Sequence, residues 1–280
     1  MKLILVICFL LINFNLFTQE ITWRRSTENN EPKELRLFRS TQVINLPSAE
    51  TYEKGDFEYE ISHRFIPAVD EKGKFFGLDG PANIRFSLSY APTHRMTLTV
   101  GRANVDGNID FALKYKLIQL MGELFPSQFS IRFGTGWATN FPSSQRKLFD
   151  SKNFQFYAQG IFNTLYERTF GIGFVPTYLY NSNVYSLKRY YSFTLGSYIQ
   201  VYLSDKWSAI LEWNPTVTGY RNKFNPVAFG FELDTGGGHF FKFILSNSVD
   251  LNTSHFANGA DKQFLKSSPS FGFNLTRILK

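Results

Sequence analysis

At 280 residues, with no Pro/Gly/Ser-rich divider, the chain is expected to form one domain rather than two. Aromatic residues make up 18%, with 31 Phe, yet mean hydropathy is slightly negative at -0.19. That points away from a thick soluble core, because the apolar residues are spread singly between polar ones, as suits a thin wall with lipid on one side. The formal net charge of +7 comes without a basic helix or a stacked basic-aromatic module, which points to solvated loops and away from nucleic acid.

The chain opens with Met1-Lys2, the apolar run Leu3 to Ile12 and a polar exit interrupted by Asn13 and Asn15. A basic start, a short apolar stretch and a polar end predict a secretory signal peptide over 1–18. The run falls short of the ~20 apolar residues of a membrane-spanning helix. Cys8, the single cysteine, lies inside it, so the mature chain is expected to have no thiol or disulfide chemistry. Residues 19–54 lack clean alternation and mix Arg24, Arg25, Arg36 and Arg39 with Glu28, Glu31 and Glu34. A periplasmic tail is expected here, with a plug folded into a lumen as the alternative.

From Gly55 to the end the sequence alternates with period 2. Phe57 to Phe65, Ile84 to Tyr90, Met96 to Val100, Ile109 to Leu117 and Phe129 to Trp137 are each apolar on one parity and polar on the other. The pattern resumes at Phe154, Phe170, Phe193, Trp207, Val227 and Phe241 and closes on Phe271, Phe273 and Leu275. The fold class predicted is all-β, a single antiparallel transmembrane barrel of about twelve strands over 55–280, preceded by the signal peptide. Short connections near Arg95, Gly122, Arg168, Asp205 and Gly237 alternate with longer ones, such as Ala138 to Asn153 and Asp250 to Ser268. Short periplasmic turns facing long outer loops are the pattern of the outer membrane of a Gram-negative bacterium. Trp137, Trp213, Tyr178 and Tyr180 fall at outer strand ends and Trp207, Tyr90 and Tyr166 near periplasmic ends, where amphipathic rings collect.

The polar parity carries charges of both signs: Glu58, Glu60, Arg64, Arg85, Asp110, Lys114, Lys116, Arg132, Glu212, Glu232 and Lys242. A selective pore concentrates one sign at its constriction, whereas a mixed set suits an interior network of ion pairs with a narrow or closed channel. Gly236, Gly237 and Gly238 before His239 suit a hairpin turn with positive φ better than a phosphate cradle, which needs a following helix and a Lys-Ser/Thr. His63, His94, His239 and His255 lack metal-ligand spacing, and Ser62 and His63 are adjacent and so face opposite ways. No catalytic residue, metal site or cofactor is indicated. The outer loops carry Lys72, Lys74, Arg102, Arg146, Lys147, Lys188, Arg189, Arg221, Lys223, Lys262 and Lys266, a rim that could pair with lipopolysaccharide phosphates of the outer-membrane lipid.

Several stretches resemble a Bacteroidota family of predicted outer-membrane β-barrels of unknown function. They are Ile61-Ser62-His63-Arg64-Phe65, Gly77-Leu78-Asp79, the segment from Asn225-Pro226 to Asn247-Ser248 with its Asp234-Thr235-Gly236-Gly237-Gly238-His239 turn, and Gly272-Phe273-Asn274-Leu275-Thr276-Arg277. The resemblance implies a barrel and its compartment and supplies no catalytic residue. The last strand is expected to address the outer-membrane insertion machinery, although the chain ends on Lys280 rather than an aromatic. The functions left open are a small transport or diffusion barrel and a closed-lumen structural or binding barrel. The alternatives are a lipid-modifying enzyme and a soluble all-β periplasmic binding protein. Oligomeric state is not specified.

Overall fold

The computed structural model describes residues 35–140, 146–266 and 268–280. The predicted signal peptide over 1–18, and 19–34 of the segment after it, lie outside the described residues. The alternating stretches become thirteen strands: β1 (Phe57–Ala68), β2 (Ala82–Thr93), β3 (Met96–Ala103), β4 (Ile109–Leu120), β5 (Ser127–Trp137), β6 (Phe154–Tyr166), β7 (Phe170–Tyr180), β8 (Tyr191–Tyr202), β9 (Trp207–Trp213), β10 (Thr216–Gly219), β11 (Val227–Gly236), β12 (His239–Ser246) and β13 (Ser270–Leu279). Strands β9 and β10 both pair with β8 and are one wall strand interrupted at Asn214-Pro215. Pro215 has no amide to donate, but its carbonyl still accepts from Leu195 at 2.9 Å.

Every pairing is antiparallel, and β1 pairs with β13 over Phe57↔Leu279 to Ala68↔Ser270, so the sheet closes into a barrel of 12 strands. Closure pairs every described wall strand on both sides except along β10, which pairs with β8 alone; an unsatisfied amide facing lipid costs several kcal/mol. The connections 94–95, 121–126, 167–169, 203–206 and 237–238 share one end with the start of β1 and the end of β13. The opposite end carries 69–81, 104–108, 138–153, 181–190, 220–226 and 247–269. The sorting of short from long is as expected except at 104–108, which is brief.

One parity of each strand faces outward and is apolar. Phe86, Leu88, Phe111, Phe133, Phe174, Leu211 and Phe243 are 44–52% exposed, a continuous band that water would penalise and hydrocarbon does not. The chain is therefore an outer-membrane barrel, with the start of β1 and the end of β13 at the short-turn, periplasmic end. Outward rings pair across strands: Phe57 on Tyr90 at 4.7 Å, His63 on Phe273 at 4.9 Å, Trp137 on Phe154 at 5.6 Å.

Residues 35–54, the described part of the segment read as a periplasmic tail or a plug, run up into the barrel and return to β1. Leu37, Phe38, Val43, Ile44, Leu46, Ala49 and Tyr52 are all at most 4% exposed. Six of these seven are apolar and Tyr52 is aromatic, so leaving the segment in the periplasm would expose them to water.

Phe243 lies on the outward face near the middle of β12, and a charge there would face hydrocarbon. Phe243→Arg is expected to reduce stability in vesicles by about 2–4 kcal/mol, while the wild-type barrel migrates differently on a gel before and after boiling. Equal mobility before and after boiling would contradict a closed barrel.

Candidate functional site

The inward parity builds a lumen with two unlike halves. All eleven charged residues named from sequence point inward, none more than 8% exposed. Eight of them lie on β1, β2, β4 and β5, while Glu212, Glu232 and Lys242 lie on β9, β11 and β12. The other half of the wall carries Ile161, Leu165, Val175, Tyr198, Ile210, Ala228 and Ile244, which form one apolar cluster with Leu37, Phe38, Val43, Ile44, Leu46 and Ala49 of the N-terminal segment. Inward glycines make room for it. A Cβ on Gly171 would sit 2.7 Å from the Phe38 ring, and one on Gly196 would sit 2.9 Å from the Leu46 side chain.

The segment is a hairpin closed by a Gln42↔Pro47 bridge, with Val43 donating to the Leu46 carbonyl at 2.8 Å. Its tip presents three successive amides to one carboxylate. Ile44 donates to Glu212 at 2.6 Å, Asn45 at 2.9 Å and Leu46 at 3.1 Å. Such a run of N–H groups is an anion-binding concavity. Glu212 is itself fully buried.

Wall cations hold the hairpin's carbonyls. Lys114 donates to Thr41 and Ser48 at 3.3 and 3.1 Å, and Lys242 donates to Ser40 Oγ at 2.9 Å and to the Gln42 carbonyl. Arg64 reaches Asn45 Oδ1 at 3.1 Å and Asn274 Oδ1 at 2.8 Å, and Asn274 donates to the Ile44 carbonyl at 3.0 Å. Neutral side chains do the same lower down. Ala49 donates to Asn163 and accepts from Ser130 at 2.8 Å, and Leu35 donates to Gln119 at 2.8 Å. Within the hairpin, Glu50 accepts from the amides of Leu37 and Phe38 at 2.7 and 3.0 Å. Burial pushes the Glu50 carboxyl up, opposed by Lys116, those two amides and Lys114.

The ion-pair network expected from sequence is thus only part of the arrangement. Direct pairs join Arg85 to Asp110 at 2.6 Å and Lys242 to Glu232 at 3.5 Å. Glu60 instead accepts from Ser62 and Thr276 at 2.7 and 3.1 Å, and Arg132 donates to Gln159 and Thr253 at 3.1 and 2.9 Å. Of the remaining charges, Lys114 and Glu212 are turned onto the hairpin's backbone. The reason is chemical: a re-entrant loop brings in carbonyls and amides that no neighbouring strand can satisfy.

The outer loop 247–269 fills the lumen from the other side. It carries a helical turn, Thr253–Phe256, capped by Asn252, which accepts from His255 N at 2.9 Å. Ser254 approaches β5 so closely that a Cβ on Gly136 would meet its Oγ at 2.6 Å. Phe256 joins the same apolar cluster as the hairpin. Asp106 ties the loops together, accepting from Tyr185 at 2.6 Å with His255 Nε2 3.7 Å away. Between hairpin and wall a polar gap of about 30 Å³ remains, lined by Thr41, Glu58, Glu60, Arg85 and Lys114, room for one or two waters.

Gly236, Gly237 and Gly238 all have positive φ and turn β11 into β12 at His239. Ser62 is buried inside while His63 stacks between Phe65 and Phe273 outside, so the two do not meet. The sequence reading missed the apolar half of the lumen and the amide side chains Gln128, Asn163 and Asn274. Their signal was present: Gln155, Gln159 and Asn163 share the inward parity of β6.

A family model described as "Membrane bound beta barrel domain (DUF5777)" matches residues 38–279. Among solved structures, the NanC porin is similar at 6% identity and a TM-score of 0.44, covering 80% of this chain and 98% of that one. An outer-membrane channel from Pseudomonas putida F1 gives 11% and 0.43, covering 82% and 98%. The outer membrane protein Omp33 of Acinetobacter baumannii gives 9% and 0.41, covering 81% and 99%. Among curated proteins nothing matches the chain.

Removing the Glu212 carboxylate strands three buried amides. Glu212→Ala is expected to weaken docking of the hairpin by about 3 kcal/mol, on the order of 100-fold faster amide exchange at Ile44 to Leu46, with Glu212→Gln in between. Unchanged exchange would remove the role given to this contact. A second expectation concerns pH. Because burial holds the folded Glu50 carboxyl above its ordinary value of 4.5, its stabilisation is full below that value and is lost as pH rises through the raised one. Protection factors at Leu37 and Phe38 should therefore fall with rising pH more steeply in wild type than in Glu50→Gln; equal slopes would refute it.

Proposed function

The chain belongs to the family of membrane-bound β-barrel domains just described, and from that premise we propose that it is a plugged outer-membrane barrel that does not conduct at rest. One observation carries the reading: residues 35–54 from below and the loop 247–269 from above fill the middle of the lumen, leaving a gap of about 30 Å³ between hairpin and wall. This gap lies above a mouth of about 890 Å³ at the periplasmic end, lined by Leu35 to Arg39, Leu165 and Tyr202. A hydrated ion needs a continuous water-filled path, and a gap of that size holds one or two waters. The resting barrel then serves as a structural or binding element of the outer membrane, with its outer loops offered to the surroundings and its hairpin facing the periplasm.

A transport role is the second reading, and the way the hairpin is held favours keeping it. The hairpin is bound largely by side chains, to Glu212, Lys114, Lys242 and Asn163, and by no continuous strand ladder with the wall. Such a segment can leave without opening the barrel. Solute passage in this reading begins with its withdrawal and also needs the outer loop to move. The eleven inward charges, Glu58 through Lys242, would then line the freed space with both signs, giving weak selectivity between cations and anions.

Planar-bilayer recording tests the proposal. The wild-type barrel is expected to be silent. Deletion of residues 35–54, or Gly196→Leu, which places a side chain where Leu46 sits, is expected to produce conductance, more so when the turn at 253–256 is also shortened. Large steady conductance from the wild type would overturn the plugged reading. Silence of every variant that still shows heat-modifiable mobility would remove the transport role.

A further inference from the structure

The lipid-facing wall is not uniform. Across β2 to β6 the outward side chains leave a groove of about 610 Å³, lined by Leu88, Tyr90, Leu98, Val100, Phe111 and Phe133 together with neighbouring strand residues. That volume lies within the range of small-molecule sites, roughly 300–1,000 Å³. The register explains the hollow. The pairings Leu88↔Val100, Val100↔Phe111, Phe111↔Thr135 and Thr135↔Phe156 set the small side chains of Val100 and Thr135 among larger ones.

At the outer end of this groove stands Arg102. It shares the outward parity of β3 with Leu98 and Val100, is exposed, and is flanked across the sheet by Phe86 and Ile109. Two strands further on in the same row is Trp137, beside Phe154, which puts Arg102 at the level of the outer aromatic belt, where headgroups lie. Among the described strand residues the other lipid-facing arginine, Arg277, sits at the periplasmic end of β13. Arg102 Nη1 donates to the Gly107 carbonyl at 3.4 Å; the rest of a guanidinium facing lipid is costly unless it meets water or an anion.

Further cations stand on the adjoining loops. Lys147 and Lys152 lie on 138–153, the loop that follows Trp137, and Lys188 and Arg189 on 181–190. The two loops are joined by Arg189 donating to Ser151 at 2.6 Å. Trp137 stacks on Phe149 and donates to the Leu148 carbonyl at 3.1 Å, so this loop begins about two strand spacings, ~10 Å, from Arg102. The neighbouring carboxylates are turned to protein partners, Asp150 to the Lys152 amide and Asp106 to Tyr185.

We propose that this groove is a binding site for the lipid A part of lipopolysaccharide, a multiply acylated and multiply phosphorylated saccharide: an acyl chain lies over Val100 and Leu98, one phosphate meets Arg102, and the saccharide's further anionic charge meets the cations of the two loops. The site is on the outside of the barrel and does not depend on whether the lumen opens. A lipid with several phosphates suits an arginine backed by a second tier of cations, whereas a single-phosphate lipid would use the arginine alone. Guanidinium and phosphate also match in geometry, through two parallel hydrogen bonds.

Native mass spectrometry of the full barrel in detergent, titrated separately with purified lipid A, phosphatidylglycerol and inorganic phosphate, tests the site. Wild type is expected to hold one lipid A in preference to phosphatidylglycerol. Arg102→Ala should bind it roughly five- to tenfold more weakly, and Arg102→Lys should recover part of that loss. Val100→Trp, which keeps the arginine but fills the groove floor, should also weaken binding. Each variant is first checked for heat-modifiable mobility, so that misfolded protein is not scored. Unchanged lipid A binding in Arg102→Ala or in Val100→Trp would overturn the site. Equal binding of phosphatidylglycerol would overturn the lipid A assignment, and full competition by inorganic phosphate would show that the groove takes no acyl chain.

Discussion

The contact on which the interior depends is between the Glu212 carboxylate and the amides of Ile44, Asn45 and Leu46. A carboxylate taken out of water is costly unless its oxygens are met by donors. Here the donors are backbone groups of a loop tip that has no strand beside it to satisfy them. Each side therefore needs the other: without the hairpin, Glu212 faces a lumen half lined by Ile161, Val175, Tyr198 and Ile210, and without Glu212 the tip amides are buried unpaired. The same complementarity recurs at Lys114 and Lys242, which meet hairpin carbonyls. The sign of charge alternates with the sense of the backbone dipole it faces.

This explains the uneven lumen. A barrel with a water-filled interior needs polar residues all round it, and in this one a continuous apolar cluster is turned inward between the polar residues of β6, β9, β11 and β12. The apolar side is intelligible only with the apolar face of the hairpin laid against it, and the inward glycines at 171 and 196 are where Phe38 and Leu46 come closest. On the opposite side Arg85 and Asp110 pair, Lys114 is turned onto the hairpin's carbonyls, and Glu60 and Arg132 meet neutral side chains. The barrel is thus a lipid-facing wall built around a small, amphipathic core that the chain supplies from its own N-terminal side.

The wall was legible in the sequence because lipid and lumen impose a strict period of 2, and Phe57 to Leu275 obey it. Twelve wall strands and the sorting of short and long connections followed from that period and from turn residues such as the glycines at 236, 237 and 238. The inward direction of Glu58, Arg85, Lys242 and the others was legible for the same reason. Their partners were not, because a side chain's parity says which way it points but not what enters the lumen to meet it. Residues 35–54 have no periodicity, since a hairpin held by side chains has no ladder to impose one. The apolar inward residues were obscured in a different way: Ile210 and Ile244 sit on the polar parity between Ser208 and Glu212, or between Lys242 and Ser246, and a single apolar residue there breaks the alternation without announcing a surface.

The two parts of the molecule also differ in how they would come apart. Each wall strand is hydrogen-bonded to both neighbours around a closed ring, and opening the ring exposes amides to hydrocarbon, so the wall opens as a unit or not at all. The hairpin is tied to the interior by separate side-chain contacts, such as those of Glu212, Lys114 and Lys242, and water entering from the periplasm can replace the hydrogen bonds one by one. What water cannot replace is the packing of Phe38, Ile44 and Leu46 on the apolar half. Local opening follows the least stable cooperative unit, and here that unit is the hairpin, with the apolar half setting how rarely it leaves. Any change of state in this protein therefore begins inside the lumen, while the wall that the sequence displays so clearly stays as it is.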